Sequence, residues 1–261
     1  MSLSASPGRP MVEGSRTMRR LEASENSCGW ASWLARFKAI LLDMNGTFMF
    51  GHDRFLPRTN YWSTYVAIGG QVLTEEEVDT AICAFLSSYG TLYANPALAD
   101  DFPTVLEALS EIFPSLPDAE RHALEAVIAK HEMDKIPERH AAALQRLAQT
   151  HRLGVVSNIW SHSGPWRDAF GALGLERTFE VVVFSSDHRS VKPSRRPFEI
   201  ALRALDLMPG DVLFVGDDLL RDVVPARSLG IATLWIGNPD AAADQRDVAD
   251  RIVKDLCDVF D

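Results

Sequence analysis

Polar side chains that could perform chemistry follow four of the apolar runs in this sequence. They are Asp43, the pair Ser157 and Asn158, Lys192, and the pair Asp217 and Asp218. A carboxylate can attack a phosphoryl group or a carbon atom and form a covalent intermediate. Neighbouring acids supply the oxygen ligands that Mg²⁺ prefers, while a lysine and a hydroxyl can stabilise an anionic transition state. These residue types therefore point to metal-assisted transfer at phosphorus.

Five short apolar runs predict the strands that would position these residues. The runs are KAILLDM, RLGVVSN, EVVVFSS, DVLFVGDD and ATLWIG, and amphipathic segments such as SRRPFEIALRAL lie between the last four. This alternation predicts an α/β fold, a parallel sheet covered by helices on both faces. Taken singly, a terminal Asp is often a helix cap and a Ser-Asn pair a turn. Their coincidence at the ends of four predicted strands favours a shared site.

Three regions divide the chain. Residues 1–36 are rich in Ser, Gly, Pro and Arg and predict a disordered tail, although CGWASWLARF near its end predicts a short helix that packs on the core. Residues 37–50 and 136–261 form the predicted α/β core. Residues 51–135 predict an inserted helical domain, in which Thr74 and Glu77 have capping-box spacing. A crevice between the two units would lie over the carboxyl ends of the strands.

Composition excludes several classes of partner. The net charge is −10 without a dense basic run, which disfavours nucleic acid and anionic membrane surfaces. No apolar run is long enough to span a bilayer, and no secretory signal begins the chain. The three cysteines are isolated and the seven histidines scattered, which predicts reduced thiols in a cytoplasmic protein and no zinc site. No pattern indicates an oligomeric state.

The segments DMNGTF, VVSN, KPSRRPFEIAL and VGDDLLRDVVPARSLG resemble the four ordered motifs of the haloacid dehalogenase superfamily. The helical insertion after the first motif resembles the cap of its phosphatase-like branch. The resemblance implies a Rossmann-like core and hydrolysis of a small phosphorylated metabolite. It also implies that Asp43 is the nucleophile, that Thr47 and Ser157 hydrogen-bond the phosphoryl group, and that Lys192 stabilises the transferring group.

The same resemblance implies a Mg²⁺ site. Its ligands would be Asp43, the backbone carbonyl of Asn45, and Asp217. Either Asp218 or Asp222 would complete the shell, and the spacing from Asp217 favours Asp222.

Asn45 departs from the family pattern, because phosphatases of this superfamily normally carry a second Asp there as proton carrier. An amide cannot exchange a proton, and general acid–base catalysis is typically worth about 10²- to 10⁴-fold. Three interpretations remain open: a Mg²⁺-dependent phosphatase that works despite Asn45, a hydrolase that releases halide from a 2-haloacid, and a phosphometabolite-binding protein without turnover. In the first, the flap FMFGHDRF could supply His52 or Asp53 as the proton carrier.

Substrate contacts are expected from residues around the crevice, namely Ser157, Asn158, His52, Arg54 and Trp160. Among the aromatic residues of the insertion, one or two of Trp62, Tyr65, Tyr89 and Tyr93 are expected to face the crevice. Arg221 is predicted to lie on a solvent-exposed helix face.

Overall fold

The computed structural model describes residues 29–51, 55–56 and 59–260. Its centre is a six-stranded, wholly parallel sheet in the order β3-β2-β1-β4-β5-β6. The strands are β1 Ala39–Leu42, β2 Arg152–Ser157, β3 Phe179–Phe184, β4 Val212–Gly216, β5 Ala232–Ile236 and β6 Arg251–Val253. The predicted α/β, Rossmann-like fold class is confirmed. The short β6 was not predicted.

Helices surround this sheet and fill the long connection between β1 and β2. They are α1 (29–34), α2 Tyr61–Ile68, α3 Glu75–Tyr93, α4 Val105–Ile112, α5 Asp118–Glu132, α6 Glu138–Leu147, α7 Gly164–Ala172, α8 Ser185–His188, α9 Arg196–Leu205, α10 Val224–Ser228 and α11 Ala243–Arg246. Single 3₁₀ turns cover Pro96–Leu98, Pro209–Asp211 and Leu256–Phe260, and a π-helical turn covers Leu219–Val223. None of the helices in the described ranges is long and apolar enough to cross a membrane.

The central strand β1 fixes the register of the residues that follow it. All four of its residues are buried, and Leu42 is aligned with Val155 on one side and Val215 on the other. Because all three strands are parallel, the residues after them emerge at the same edge of the sheet. The chemistry-bearing residues Asp43 and Asp217 are therefore brought together there.

Helices α2–α5 pack around an apolar cluster of their own, which includes Tyr65, Phe85 and Tyr89. The predicted capping box forms at the start of α3. The Thr74 side chain accepts a hydrogen bond from the Glu77 backbone N–H, and the Glu77 side chain accepts one from the Thr74 backbone N–H. The four helices agree with the helical character predicted for residues 51–135.

The segment before β1 packs on the core. In and just after α1, Trp33, Leu34 and Phe37 are buried in the same apolar cluster as the sheet. This agrees with the short packed helix predicted there. The earlier part of the predicted tail, and also His52, Asp53 and Arg54, lie outside the described residues.

Candidate active site

The carboxyl ends of β1, β2 and β4 open into a cleft of about 250 Å³. Asp43 and Asn158, just after β1 and β2, and Lys192, in the loop after α8, contribute to its lining, and the helical insertion contributes Tyr93 and Glu132. The cleft therefore lies between the sheet edge and the helices that follow β1, as the sequence predicts.

Asp43 lies at the floor of this cleft and is held by two donors. The Lys192 ammonium is 2.7 Å from Asp43 Oδ1, and the Ser157 hydroxyl donates to the same oxygen over 2.7 Å. Asp43 is only 7% exposed and Lys192 only 2%. Both bonds are formed by Oδ1, so the other carboxylate oxygen, Oδ2, is not used in them.

Lys192 also lies 2.5 Å from Asp222 Oδ1 and so bridges two acids. Burial alone would lower the pKa of Lys192, but the charges of Asp222 and Asp43 outweigh burial and raise it. The side chain is therefore a permanent cation in the interior.

Asp43, Asp217 and Asp222 form a cluster in which one oxygen of each lies within 4.8 Å of the other two. Asp222 is buried, while Asp217 is open to solvent at the cleft. Although Asp217 is exposed as a residue, atoms packed around its carboxyl group desolvate that group, and this desolvation and the charges of Asp43 and Asp222 raise its pKa to about 7. Like charges at this spacing repel unless a cation lies among them. The donor set consists of carboxylate oxygens alone and fits a hard divalent cation such as Mg²⁺.

Asp218 does not join this cluster. Its Oδ1 accepts the backbone N–H groups of Leu220 and Arg221, and so it caps the π-helical turn. Asp222 instead points inward and accepts the backbone N–H of Asp218 at 3.0 Å. Of the two candidates, the structure therefore brings only Asp222 together with Asp43 and Asp217.

Two glycines allow this close packing of acids. A Cβ atom on Gly46, where φ is +80°, would lie 2.2 Å from Asp217 Oδ2. A Cβ on Gly216 would lie 2.5 Å from Asp222 Oδ2. Any larger residue would displace the carboxylates, so the requirement for glycine is steric at both positions.

Asn45 and Thr47, on the turn after β1, have unused polar atoms. Asn45 Oδ1 and Thr47 Oγ1 are buried, and neither has a hydrogen-bond partner among the described residues. Buried polar atoms are rarely left without a partner in folded proteins. Of the two residues, Asn45 lines the cleft, whereas Thr47 lies fully buried beneath it.

Asn158 fixes the position of Lys192 through the backbone. Its Oδ1 accepts the Lys192 N–H at 2.8 Å, and its Nδ2 donates to the Lys192 carbonyl at 3.0 Å. The same amide donates to the Tyr93 hydroxyl at 2.8 Å. Asn158 thus links the strand ends to the last residue of α3, and this role as a positioning group was not predicted.

Trp160 lies at the cleft wall and also packs within the insertion. Its ring meets Tyr93 edge to face at 5.7 Å and Tyr89 at 5.3 Å, and it lines the cleft with Tyr93. Of the aromatic residues considered, Tyr65 and Tyr89 are buried in the core of the insertion, whereas Tyr93 reaches the cleft.

Arg221 does not point into solvent from a helix face, so the prediction that it lies on a solvent-exposed face is wrong. Its guanidinium stacks over the Tyr93 ring at 3.8 Å and donates to the carbonyl oxygens of Lys192 and Tyr93. The signal available in the sequence was only a charged residue on a short helix. Its contacts depend on α3, which is distant in sequence.

A model of haloacid dehalogenase-like hydrolases matches residues 97–236, more than half of the chain. Phosphoserine phosphatase of Thermus thermophilus is 30% identical over 116 residues, which cover 44% of this chain and 47% of that protein. The alignment thus spans about half of that relative's length. N-acetylmuramic acid 6-phosphate phosphatase of Pseudomonas aeruginosa is 27% identical over 240 residues, which cover 85% of this chain and 98% of that protein.

Solved structures share the fold. A HAD phosphatase from Thermococcus onnurineus superposes with a TM-score of 0.57 at 22% identity, over 84% of this chain and 94% of that one. A 2-haloacid dehalogenase from Pseudomonas syringae pv. Tomato superposes with a TM-score of 0.56 at 20% identity, over 85% and 95%. One fold thus serves both a phosphatase and a dehalogenase, and the chemistry must be argued from the site.

Proposed function

The chain belongs to the haloacid dehalogenase-like hydrolases, and from this premise we propose that it is a Mg²⁺-dependent phosphatase of a small phosphorylated metabolite. The observation that carries the proposal is the environment of Asp43, because its carboxylate contacts Lys192 and belongs to a cluster of three acids. The phosphatases among its relatives support the same reaction class. The family match begins at residue 97, so the role of Asp43 rests on its geometry.

In the proposed reaction, an oxygen of Asp43 attacks phosphorus as the bond to the leaving oxygen breaks. The phosphoryl group is then carried by Asp43, and water attacks it to release phosphate and restore the carboxylate. The Ser157 and Thr47 hydroxyls would donate to phosphoryl oxygens, and the Lys192 charge would stabilise the transition state.

Asp43, Asp217 and Asp222 would hold Mg²⁺, together with the backbone carbonyl of Asn45. When bound, the ion supplies positive charge that offsets the acids and the substrate phosphate. The raised pKa of Asp217 supports this assignment, because desolvation and the charges of Asp43 and Asp222 both disfavour its carboxylate, and a bound cation would offset both.

The proton required by the leaving oxygen cannot come from Asn45. A substrate whose leaving group is stable as an anion, such as an acyl or enol phosphate, avoids this requirement. A proton carrier from the flap, His52 or Asp53, is the other solution. Asn158 and Trp160 at the cleft, together with Arg54, would contact the rest of the substrate.

Asn45 also favours a second candidate, a protein that binds a phosphorylated metabolite without turning it over. Release of halide from carbon is less well supported, because the three clustered acids suit a cation that such chemistry does not need.

The test is phosphate release from a panel of phosphorylated metabolites, with and without Mg²⁺, by the natural protein and by Asp43→Asn. Phosphate release that needs both Mg²⁺ and Asp43 supports the phosphatase. Saturable binding of a panel member, measured by calorimetry and without any product, supports the binding role and rejects the phosphatase. Metal-independent loss of halide from a 2-haloacid would reject both.

A further inference from the structure

A second group of metal-ligating side chains lies where α6 meets the C-terminal 3₁₀ turn. It consists of His140, Asp255 and Cys257, and one donor atom of each lies within 4.8 Å of the other two. None of the three belongs to the acidic cluster at the strand ends. The sequence predicted no zinc site because its histidines and cysteines have no regular spacing, and this group forms only in the folded chain.

His140 is fully buried, and its Nε2 faces the Asp255 carboxylate. Nε2 lies 3.1 Å from Asp255 Oδ1, yet neither ring nitrogen has a hydrogen bond within the part of the chain that the structure describes. Burial lowers the pKa of His140, which favours the neutral ring that can bind a metal. A buried polar group without a partner destabilises the fold, and a metal bound at Nε2 would remove that cost.

Asp255 is held in place by groups other than His140. Its Oδ2 accepts from the Arg139 guanidinium at 2.5 Å, and its Oδ1 accepts the Cys257 backbone N–H at 2.9 Å. Outer partners of this kind orient the carboxylates that bind metals. The Arg139 charge also lowers the affinity for a cation, so we expect weaker binding than at a site without a neighbouring guanidinium.

Cys257 completes the group with a soft donor. Its Sγ lies 3.8 Å from the Arg139 carbonyl oxygen, and the side chain is partly accessible. Burial and the nearby Asp255 raise the pKa of the thiol to about 11. A metal ion would bind the thiolate and so would displace the thiol proton.

We propose that His140, Asp255 and Cys257 bind Zn²⁺ through one nitrogen, one oxygen and one sulfur atom. Zn²⁺ takes these donors in a tetrahedral arrangement, and the fourth position would hold water. Mg²⁺ demands oxygen ligands, so this site and the acidic cluster select different metals. The bound ion would tie the C-terminal turn to α6 beside Phe50, whose ring centroid lies 4.8 Å from that of His140.

Co²⁺ substitution tests the site without reference to enzymatic activity. The reference protein is the full chain with Cys28→Ser and Cys83→Ser, kept reduced, so that Cys257 is its only thiol. One equivalent of Co²⁺ should produce a thiolate-to-cobalt charge-transfer band and tetrahedral d–d bands. Added Zn²⁺ should abolish both and raise the melting temperature.

Variants distinguish this site from other metal sites on the chain. Adding Cys257→Ser should abolish the charge-transfer band, and Asp255→Asn should weaken Co²⁺ binding about tenfold or more. Asp217→Asn, in the acidic cluster, should leave the band unchanged. Circular dichroism checks that each variant is folded. Absence of the band in the reference protein, or Co²⁺ binding that Asp255→Asn leaves unchanged, would overturn the proposal.

Discussion

The carboxylate of Glu132, the last residue of α5, accepts a 2.6 Å hydrogen bond from the backbone N–H of Trp160, which lies just beyond β2. It also accepts the Ser161 N–H at 3.1 Å and the Ser161 hydroxyl at 2.6 Å. Glu132 is 1% exposed. The end of the helical insertion thus fixes the loop that continues from Ser157 and Asn158.

Glu132→Gln should weaken both the fold and turnover. Glutamine has one acceptor oxygen where the carboxylate has two, and its NH₂ group would face backbone donors. We expect the free energy of unfolding to fall by about 1–3 kcal/mol. Because Ser157 and Asn158 would shift, turnover should fall about tenfold to a hundredfold. Urea unfolding and phosphate release measure the two effects.

Glu111→Gln is the matched control, since it makes the same chemical change at an exposed position on α4. It should leave stability and turnover unchanged. Equal behaviour of the two variants would show that the Glu132 hydrogen bonds do not position the loop.

Lys192→Met should be strongly destabilising. It leaves Asp43 and Asp222 buried without their shared cation, and loss of one partner of a buried pair costs about 3–5 kcal/mol. Lys38→Met removes a comparable ion pair with Asp211, but the Lys38 side chain is 63% exposed and the expected cost is about 0–1 kcal/mol. Chemical unfolding compares the two variants. Similar costs would mean that the interior pair is solvated in solution.

The ends of the strands could be predicted because the apolar runs stop where the strands stop. Asp43, Ser157 and Asp217 each follow such a run, and a parallel sheet brings successive strand ends to one edge. The strand β6 was missed because Arg251–Val253 is too short to form a periodic pattern.

Contacts across the cleft could not be predicted, because they join segments distant in sequence. Arg221 stacks on Tyr93, and Glu132 binds the loop at Trp160. In the sequence, Arg221, Tyr93 and Glu132 are ordinary members of helical segments, and Trp160 is one more aromatic residue after a strand. Only the packing of the insertion against the sheet edge gives them their partners.

Mg²⁺ should stabilise the natural protein against heat. If it binds only the folded chain, a concentration of one hundred times Kd adds about 2.7 kcal/mol to the free energy of unfolding. Asp217→Asn should remove most of this stabilisation, because it deletes a carboxylate from the cluster. Differential scanning calorimetry with and without Mg²⁺ measures the effect.

Asp218→Asn is the control for the metal effect. Asparagine caps helical turns as well as aspartate does, so the hydrogen bonds to Leu220 and Arg221 should persist. Mg²⁺ stabilisation should be retained. If Asp218→Asn abolishes it and Asp222→Asn does not, then Asp218 rather than Asp222 is the ligand.

Asn45→Asp should raise the Mg²⁺-dependent hydrolysis of a generic phosphomonoester. The new carboxyl group would lie on the turn after Asp43, and nearby negative charge raises the pKa of such a group. A carboxyl that holds its proton near neutral pH can protonate the leaving oxygen, which the natural amide cannot. The expected gain is about 10²- to 10⁴-fold in turnover, the usual contribution of a general acid.

The leaving group of the substrate provides the control for Asn45→Asp. The gain should be large for an alkyl phosphate and small for an acyl phosphate, whose leaving group departs as a stable anion. A gain of equal size on both substrates would mean that the substitution acts through metal binding or folding, not through proton transfer. An unchanged rate on the alkyl phosphate would mean that the natural protein already has another proton carrier. In that event, His52→Gln in the natural protein becomes the decisive variant, because loss of turnover would identify the flap as the source of the proton.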